Sequence, residues 1–194
     1  MERLEKYLVE YCAPTLASLK TANLFSCPES MTPALGEILD DWNTCLRNKG
    51  IKLCLLKKKG NALVYVYRTG RLKHDLSAPA ALWILKRYGY GTTEEEGAID
   101  RLRARLMEGG EFPHEIGLFL GYPPQDVEGF IRYGGRCSKC TGCWKVYGNE
   151  DRARRIFASF ERCKKAYARL WQEGESIMRL AVEVPKEKDM RIYV

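Results

Sequence analysis

Four groups of residues in this 194-residue chain have types and spacings suited to chemistry. The first lies in Glu111-Phe112-Pro113-His114-Glu115-Ile116-Gly117-Leu118-Phe119-Leu120-Gly121-Tyr122-Pro123-Pro124. It sets an imidazole beside a carboxylate in the expected first turn of a short, glycine-bounded helix. The positive end of a helix dipole disfavours imidazolium, so His114 is a candidate general base, with Glu115 orienting it. The competing reading is structural: Glu115 complements the helix start and His114 makes a local hydrogen bond.

The second group is Tyr11-Cys12-Ala13-Pro14-Thr15-Leu16 with Lys20 and Asn23 after it. A proline suits the first turn of a helix and disrupts an interior. The spacing therefore predicts one helix over residues 2–10, a joint at Cys12-Ala13, and a second short helix over residues 14–20. Cys12 would sit at the start of that second helix, where a thiolate is favoured. Cys12 is thus a candidate nucleophile, His114 its candidate base, and Lys20 and Asn23 candidates for holding an anionic or carbonyl group. The alternative is a buried thiol at a helix joint.

The third group is the run Cys137-Ser138-Lys139-Cys140-Thr141-Gly142-Cys143. Thiolates at this spacing can converge on zinc or an iron–sulfur cluster, with Cys163, Cys12 or His114 as a distant fourth ligand. A redox dithiol and plain loop thiols are the other two readings. The chain has eight cysteines. The opening Met1-Glu2-Arg3-Leu4-Glu5-Lys6 has no apolar signal core, and no apolar run approaches a membrane span. The expected compartment is therefore the cytosol, which keeps cysteines as thiols, ligands or reactive groups rather than structural disulfides.

The fourth group is basic. Arg152, Arg154, Arg155, Arg162, Lys164, Lys165 and Arg169 share a predicted long helix with an apolar stripe of Ile156, Phe157, Phe160, Cys163, Tyr167 and Leu170. Net charge is +7, and an acidic stretch over 91–131 separates basic stretches over 50–90 and 132–194. Either this is a solvated helix face, or it attracts an acidic protein or a phosphate. Nucleic acid is not the expected partner, because no stacking or groove-reading element accompanies the charge.

These groups need elements to position them. Hydrophobic residues at 45% and charged residues at 29% make a globular composition, and the length suits one domain over 1–194. Thr32-Pro33 predicts a helix to about Arg47, ended by Gly50. Residues 51–57 and 62–67 read as a hairpin joined at Lys59-Gly60-Asn61, and its second strand alternates so that both faces are covered. Phe25-Ser26-Cys27-Pro28 reads as loop. Ser77 and Thr93 each cap a helix, the second ending at Gly109-Gly110, and Pro113 and Pro124 each open a short one. Trp144–Tyr147 reads as a third strand, Asn149 caps the long helix to about Gln172, and the tail over 177–184 and 191–194 is expected to hold a strand. Regular βαβ alternation and glycine-rich phosphate loops are both absent. The fold class is α+β, mainly helical, with a small antiparallel sheet.

Several of these segments together resemble one family. They are Cys-Ala-Pro-Thr-Leu from Cys12, Lys-x-Ala-Asn-Leu-Phe from Lys20, the stretch Phe112–Ile131, and Trp144-Lys145-Val146-Tyr147 followed by a helix with Cys163. The family is known as a domain of unknown function, mainly from anaerobic Firmicutes. The resemblance runs from Tyr11 to about Glu173 and implies a cytosolic bacterial protein from an oxygen-poor setting, associated with flavodoxin-like electron carriers. It implies no reaction. The three cysteines at 137–143 depart from the family pattern, which has one before Trp-Lys-Val-Tyr. The expected function is a thiol- or redox-linked protein acting through Cys12 and His114 on a small molecule or an electron-carrier partner. The alternatives are an adaptor docking an acidic, flavodoxin-like protein and a metal or iron–sulfur carrier using Cys137, Cys140 and Cys143.

Overall fold

The alternation of Leu63, Tyr65 and Tyr67 with Val64 and Val66 calls for a strand covered on both faces. In the computed structural model, which describes residues 2–28, 32–57, 61–108 and 112–183, that segment is the middle of a three-stranded sheet. In chain order the elements are α1 (Glu2–Leu16), β1 (Ala22–Cys27), α2 (Thr32–Leu46), a 3-10 turn (Arg47–Lys49), β2 (Ile51–Lys57), β3 (Ala62–Arg68), α3 (Thr69–Ser77), α4 (Pro79–Arg87), α5 (Glu95–Met107), α6 (Ile116–Phe119), α7 (Pro124–Tyr133), β4 (Cys140–Thr141), β5 (Lys145–Val146), α8 (Glu150–Gln172) and α9 (Ile177–Leu180). The architecture is α+β, as the pattern of elements predicts.

The sheet order is β1-β3-β2, antiparallel throughout, with Phe25 opposite Val64 and Leu53 opposite Val66. One face carries Phe25, Cys27, Ile51, Leu53, Val64 and Val66 into a core shared with α1, α2, α8 and α9. The other carries Ala22, Leu24, Leu63, Tyr65 and Tyr67 into a second core under α3 to α7. A third, smaller cluster joins Trp144 and Val146 to Ala153 and Phe160 of α8.

Several expectations are corrected. Residues 25–28 are not a loop: Phe25 to Cys27 belong to β1, whose polar Asn23 and Ser26 disguise a strand that alternates Ala22 and Leu24 with Phe25 and Cys27. The strand near Trp144 does not join this sheet. Its residues Lys145 and Val146 pair with Cys140 and Thr141 in a separate two-stranded ribbon. Pro14 does not start a new helix. It lies in the last turn of a continuous α1, where its missing N–H removes one hydrogen bond, and its carbonyl accepts the amides of Leu19 and Lys20 beyond the helix end. The described part of the tail holds a short helix, α9.

Two other helix signals hold, whereas two expected caps do not: α4 and α5 have Ala78 and Glu94 at their starts in place of Ser77 and Thr93, and Ser77 ends α3. Asn149 caps α8 by accepting the Arg152 amide at 2.9 Å, and Pro124 opens α7. The turn at Lys59-Gly60, the stop at Gly109-Gly110 and the strand at 191–194 lie outside the described residues. Among the described residues, no helix is long and apolar enough to cross a membrane.

Candidate functional site

The stretch 112–123 is short of regular structure, and its shape is set by what it packs against. Gly117 sits where an added Cβ would lie 2.8 Å from Val127 Cγ2 and 3.2 Å from a ring carbon of Tyr122, so a side chain there would push α6 off α7. Gly121 has φ +74°, which turns the chain after α6 and brings it against Thr21. Glu115 anchors the segment from behind. It is buried, its Oε1 accepts Arg105 Nε at 3.0 Å and the Tyr90 hydroxyl at 3.3 Å, and Oε2 has no partner among the described residues. Hydrogen bonding to Glu115 raises the pKa of Arg105, and burial, then the carboxylate, raises that of Tyr90. The hydrogen bonds of Glu115 thus run to α5 and Tyr90, not to His114, and the orienting role expected of it is not what its contacts provide.

The ribbon is held by a second buried carboxylate. Asp126, in the first turn of α7, takes the Trp144 indole N–H on Oδ2 at 2.8 Å. Its Oδ1 takes the amides of Tyr147 and Gly148 at 2.8 and 2.7 Å. Trp144 is thereby fixed against Tyr122, stacked with centroids 4.9 Å apart, and against the edge of Phe157 at 4.5 Å. The Tyr122 hydroxyl donates to the Cys143 carbonyl at 3.1 Å, and burial pushes this phenol up to about 12.

Between α6, α7 and β5 these side chains leave a cavity of about 330 Å³. Its walls are Phe112, Tyr122, Phe130 and Trp144, with Ile116 and Val127 between them. His114, Lys145 and Asp126 are its polar residues. Phe112 is exposed at the edge, and His114 is half-buried with its ring edge-on to Phe130 at 4.9 Å. Lys145 donates to the Gly135 carbonyl at 2.5 Å, beyond the C-terminal end of α7.

The other candidates are placed elsewhere. Cys12 is buried in the core of α1 and β1 with Leu8, Leu16 and Phe25. It lies towards the C-terminal end of α1, so the helix dipole that was to favour its thiolate points the wrong way, and burial raises its pKa. Cys12 and His114 therefore belong to different surroundings, one in a closed core and one on the cavity wall. Asn23 is engaged within the fold by the Thr15 hydroxyl at 2.7 Å. Lys20 is buried with its ammonium 5.1 Å from the centre of the Tyr122 ring, so it touches a residue that also walls the cavity. Burial lowers its pKa to about 8, against the opposing pull of Cys143 and Cys12.

Cys137, Cys140 and Cys143 do not form a ligand set. Cys137 is exposed at φ 58°, while Cys140 and Cys143 pack on the Trp144 cluster. Among the described residues, no group of three or more His, Cys, Asp or Glu side chains is placed to hold a metal.

Sequence reasoning missed Asp126, Val127 and Phe130 as site residues. Their signal was present: positions 126, 127 and 130 fall on one side of a helix opened by Pro124, at the i, i+3, i+4 spacing. No curated protein and no solved structure matches this chain. The model of the family described as "Protein of unknown function (DUF3793)" matches residues 8–181, which include every cavity residue, and the chain belongs to that family.

Proposed function

We propose that this protein binds a small, flat organic molecule in the cavity between α6, α7 and β5. The carrying observation is the composition of that cavity: about 330 Å³ walled by four aromatic side chains, with three polar residues among them. Pockets that take small organic ligands are concave and mostly apolar, with a few placed polar groups. Trp144 and Tyr122 are locked by hydrogen bonds to Asp126 and Cys143, so the wall is formed before any ligand arrives. The small-molecule role expected from the sequence is kept in this reading. The thiol chemistry expected of Cys12 is not, because that thiol is enclosed in the core.

The test is a titration with the uncharged fluorescent probe N-phenyl-1-naphthylamine, followed by its emission and by the Trp144 indole N–H resonance, assigned with Trp144→Phe. Saturable binding that shifts this resonance, and that Val127→Phe weakens while the fold is retained, is the expected result. Binding that leaves the Trp144 signal unmoved would place the probe elsewhere and sink the proposal.

A second reading is favoured by one observation. Arg152, Arg155, Arg162 and Lys165 are all exposed along α8, a face suited to an acidic protein such as a flavodoxin-like carrier. Such docking would weaken steeply with salt and would survive filling of the cavity; salt-insensitive binding would count against it.

A further inference from the structure

We infer that the cavity is selective for a planar aromatic anion, its ring stacked among the aromatic walls and its anionic group held by Lys145 and His114. This rests on the reading of the cavity as a ligand site and adds the ligand's shape and sign.

Shape follows from the walls. Tyr122 and Trp144 lie nearly parallel, at 30° to each other, and Trp144 is braced edge-on by Phe157. These two rings stack on each other, so a guest meets the faces and edges that they leave to the cavity, and a planar ring matches such fixed aromatic surfaces by offset or edge contacts. An aliphatic chain would gain burial but no such contact.

Sign is the harder question, since aromatic walls also suit quaternary ammonium ions. The charges decide it. The carboxylate at the cavity, Asp126, has both oxygens engaged, one by the Trp144 indole and one by two backbone amides. It is committed to the ribbon and is poorly placed to pair with a bound cation. The positive groups are less committed. Lys145 donates one hydrogen bond to the Gly135 carbonyl, and an ammonium has three N–H donors. Lys20 lies against Tyr122 and adds positive charge next to that wall. A bound cation would therefore meet two ammonium groups and a carboxylate whose oxygens are already taken by N–H donors, whereas an anion would find the two ammonium groups as partners.

The two proposed holders share one neighbour. A Cβ built on Gly135 would lie 3.1 Å from Lys145 Nζ and 3.2 Å from Phe130 Cε2, so the ammonium is near the Phe130 ring. His114 packs edge-on to the same ring at 4.9 Å. Phe130 is the shared neighbour of the imidazole and the ammonium, so an anionic substituent beside this ring is the arrangement that would engage them. Lys145 supplies charge, and His114 supplies a hydrogen bond from its ring N–H.

The experiment compares two probes with the same ring systems. 8-Anilinonaphthalene-1-sulfonate carries a sulfonate, whereas N-phenyl-1-naphthylamine does not. Both are titrated into the wild-type chain, Lys145→Met, Lys145→Arg, His114→Gln and the remote control Arg155→Gln, with circular dichroism confirming each fold. The expected result is that Lys145→Met weakens the sulfonate about tenfold, as loss of a charge-assisted hydrogen bond should, and leaves the uncharged probe within about twofold. Lys145→Arg should restore most of the sulfonate affinity, His114→Gln should weaken the sulfonate selectively, and Arg155→Gln should change neither probe. If both probes shift the Trp144 resonance equally and ignore Lys145→Met, the anion inference is overturned and the cavity reading stands. Tighter binding of trimethylphenylammonium than of the sulfonate would overturn it in the same way. If no probe moves the Trp144 resonance, the cavity reading itself fails and takes this inference with it.

Discussion

Cys12 and Lys20 were paired in the sequence as nucleophile and anchor, and burial gives them different fates. The Cys12 thiol is enclosed and its pKa is raised, chiefly by desolvation, so it is protonated and inaccessible. A brief iodoacetamide pulse on the native protein should therefore label the exposed Cys45 and Cys137 and spare Cys12 and Cys27 until denaturant is added, as read by peptide mass mapping. Rapid native labelling of Cys12 would restore the thiolate reading. Lys20 is a buried amine whose pKa falls to about 8 from 10.5 because burial disfavours its charged form. Between those values the unfolded chain holds a proton that the folded chain has released, so this group makes stability rise with pH there. Its penalty is present in full below pH 8 and is gone above 10.5. Lys20→Met should raise stability at pH 7 by about 1–3 kcal/mol in urea unfolding. That advantage over wild type should shrink as pH climbs from 8 to 10.5. Taking the difference between the two proteins cancels the buried thiols and phenols, whose raised pKa values act in the opposite direction at alkaline pH. A destabilised Lys20→Met at pH 7 would mean that the Tyr122 ring outweighs the desolvation cost.

At the scale of elements, the joints are where sequence signals and structure part company. α1 runs through Pro14 and ends at Leu16, and Ser18 takes φ 59°, a left-handed turn without the usual glycine. What makes this end tolerable is Arg68, the last residue of β3. Its side chain is buried and donates from Nε to the Thr15 carbonyl at 2.7 Å and from Nη2 to Leu16 at 2.6 Å and Val182 at 2.9 Å, while Nη1 reaches Lys49 at 3.1 Å. One guanidinium thus satisfies carbonyls at the ends of α1 and the 3-10 turn, and ties down the segment after α9. Burial lowers its pKa only to about 10, so it remains charged at neutral pH. Arg68→Met strands these carbonyls and should cost about 3 kcal/mol or more in urea unfolding. Hydrogen exchange at Ile177 to Leu180 should accelerate before that of the sheet. Uniform acceleration across the molecule would show that Arg68 supports the fold generally and does not pin the tail in particular.

Across the whole molecule, the central strand connects the two cores to the cavity. Val64 and Val66 face one core, Tyr65 and Tyr67 the other, and the Tyr65 hydroxyl donates to the Phe119 carbonyl at 2.6 Å, at the end of α6. The cavity residues Ile116 and Gly117 ride on that same short helix. Tyr65→Phe leaves the buried carbonyl unpaired and should cost about 1–3 kcal/mol. It should also weaken N-phenyl-1-naphthylamine by severalfold, because α6 loses its tether to the sheet. Destabilisation with unchanged probe affinity would show that α7 and the ribbon alone set the cavity.

The sequence by itself determined the α+β class, the hairpin of β2 and β3, and the capped α8. Each is written in local terms, as period, cap and turn residues that neighbours in the chain can satisfy. It also marked the Phe112–Pro124 and Trp144–Tyr147 stretches as one family's signature, and the cavity draws residues from both. Only the tertiary structure decided which candidates meet. Cys12 and His114 were paired through a helix start that Pro14 did not make, and the dipole argument reversed once α1 ran on. The thiols of Cys137, Cys140 and Cys143 have a ligand-like spacing, but Cys137 stands exposed ahead of β4 while Cys140 and Cys143 pack on the Trp144 cluster. β1 was hidden because its hydrophobic alternation is short and its partner, β3, lies about forty residues away in sequence. Burial, pairing across such distances and the direction of a dipole are properties of packed elements, and no local stretch of sequence carries them.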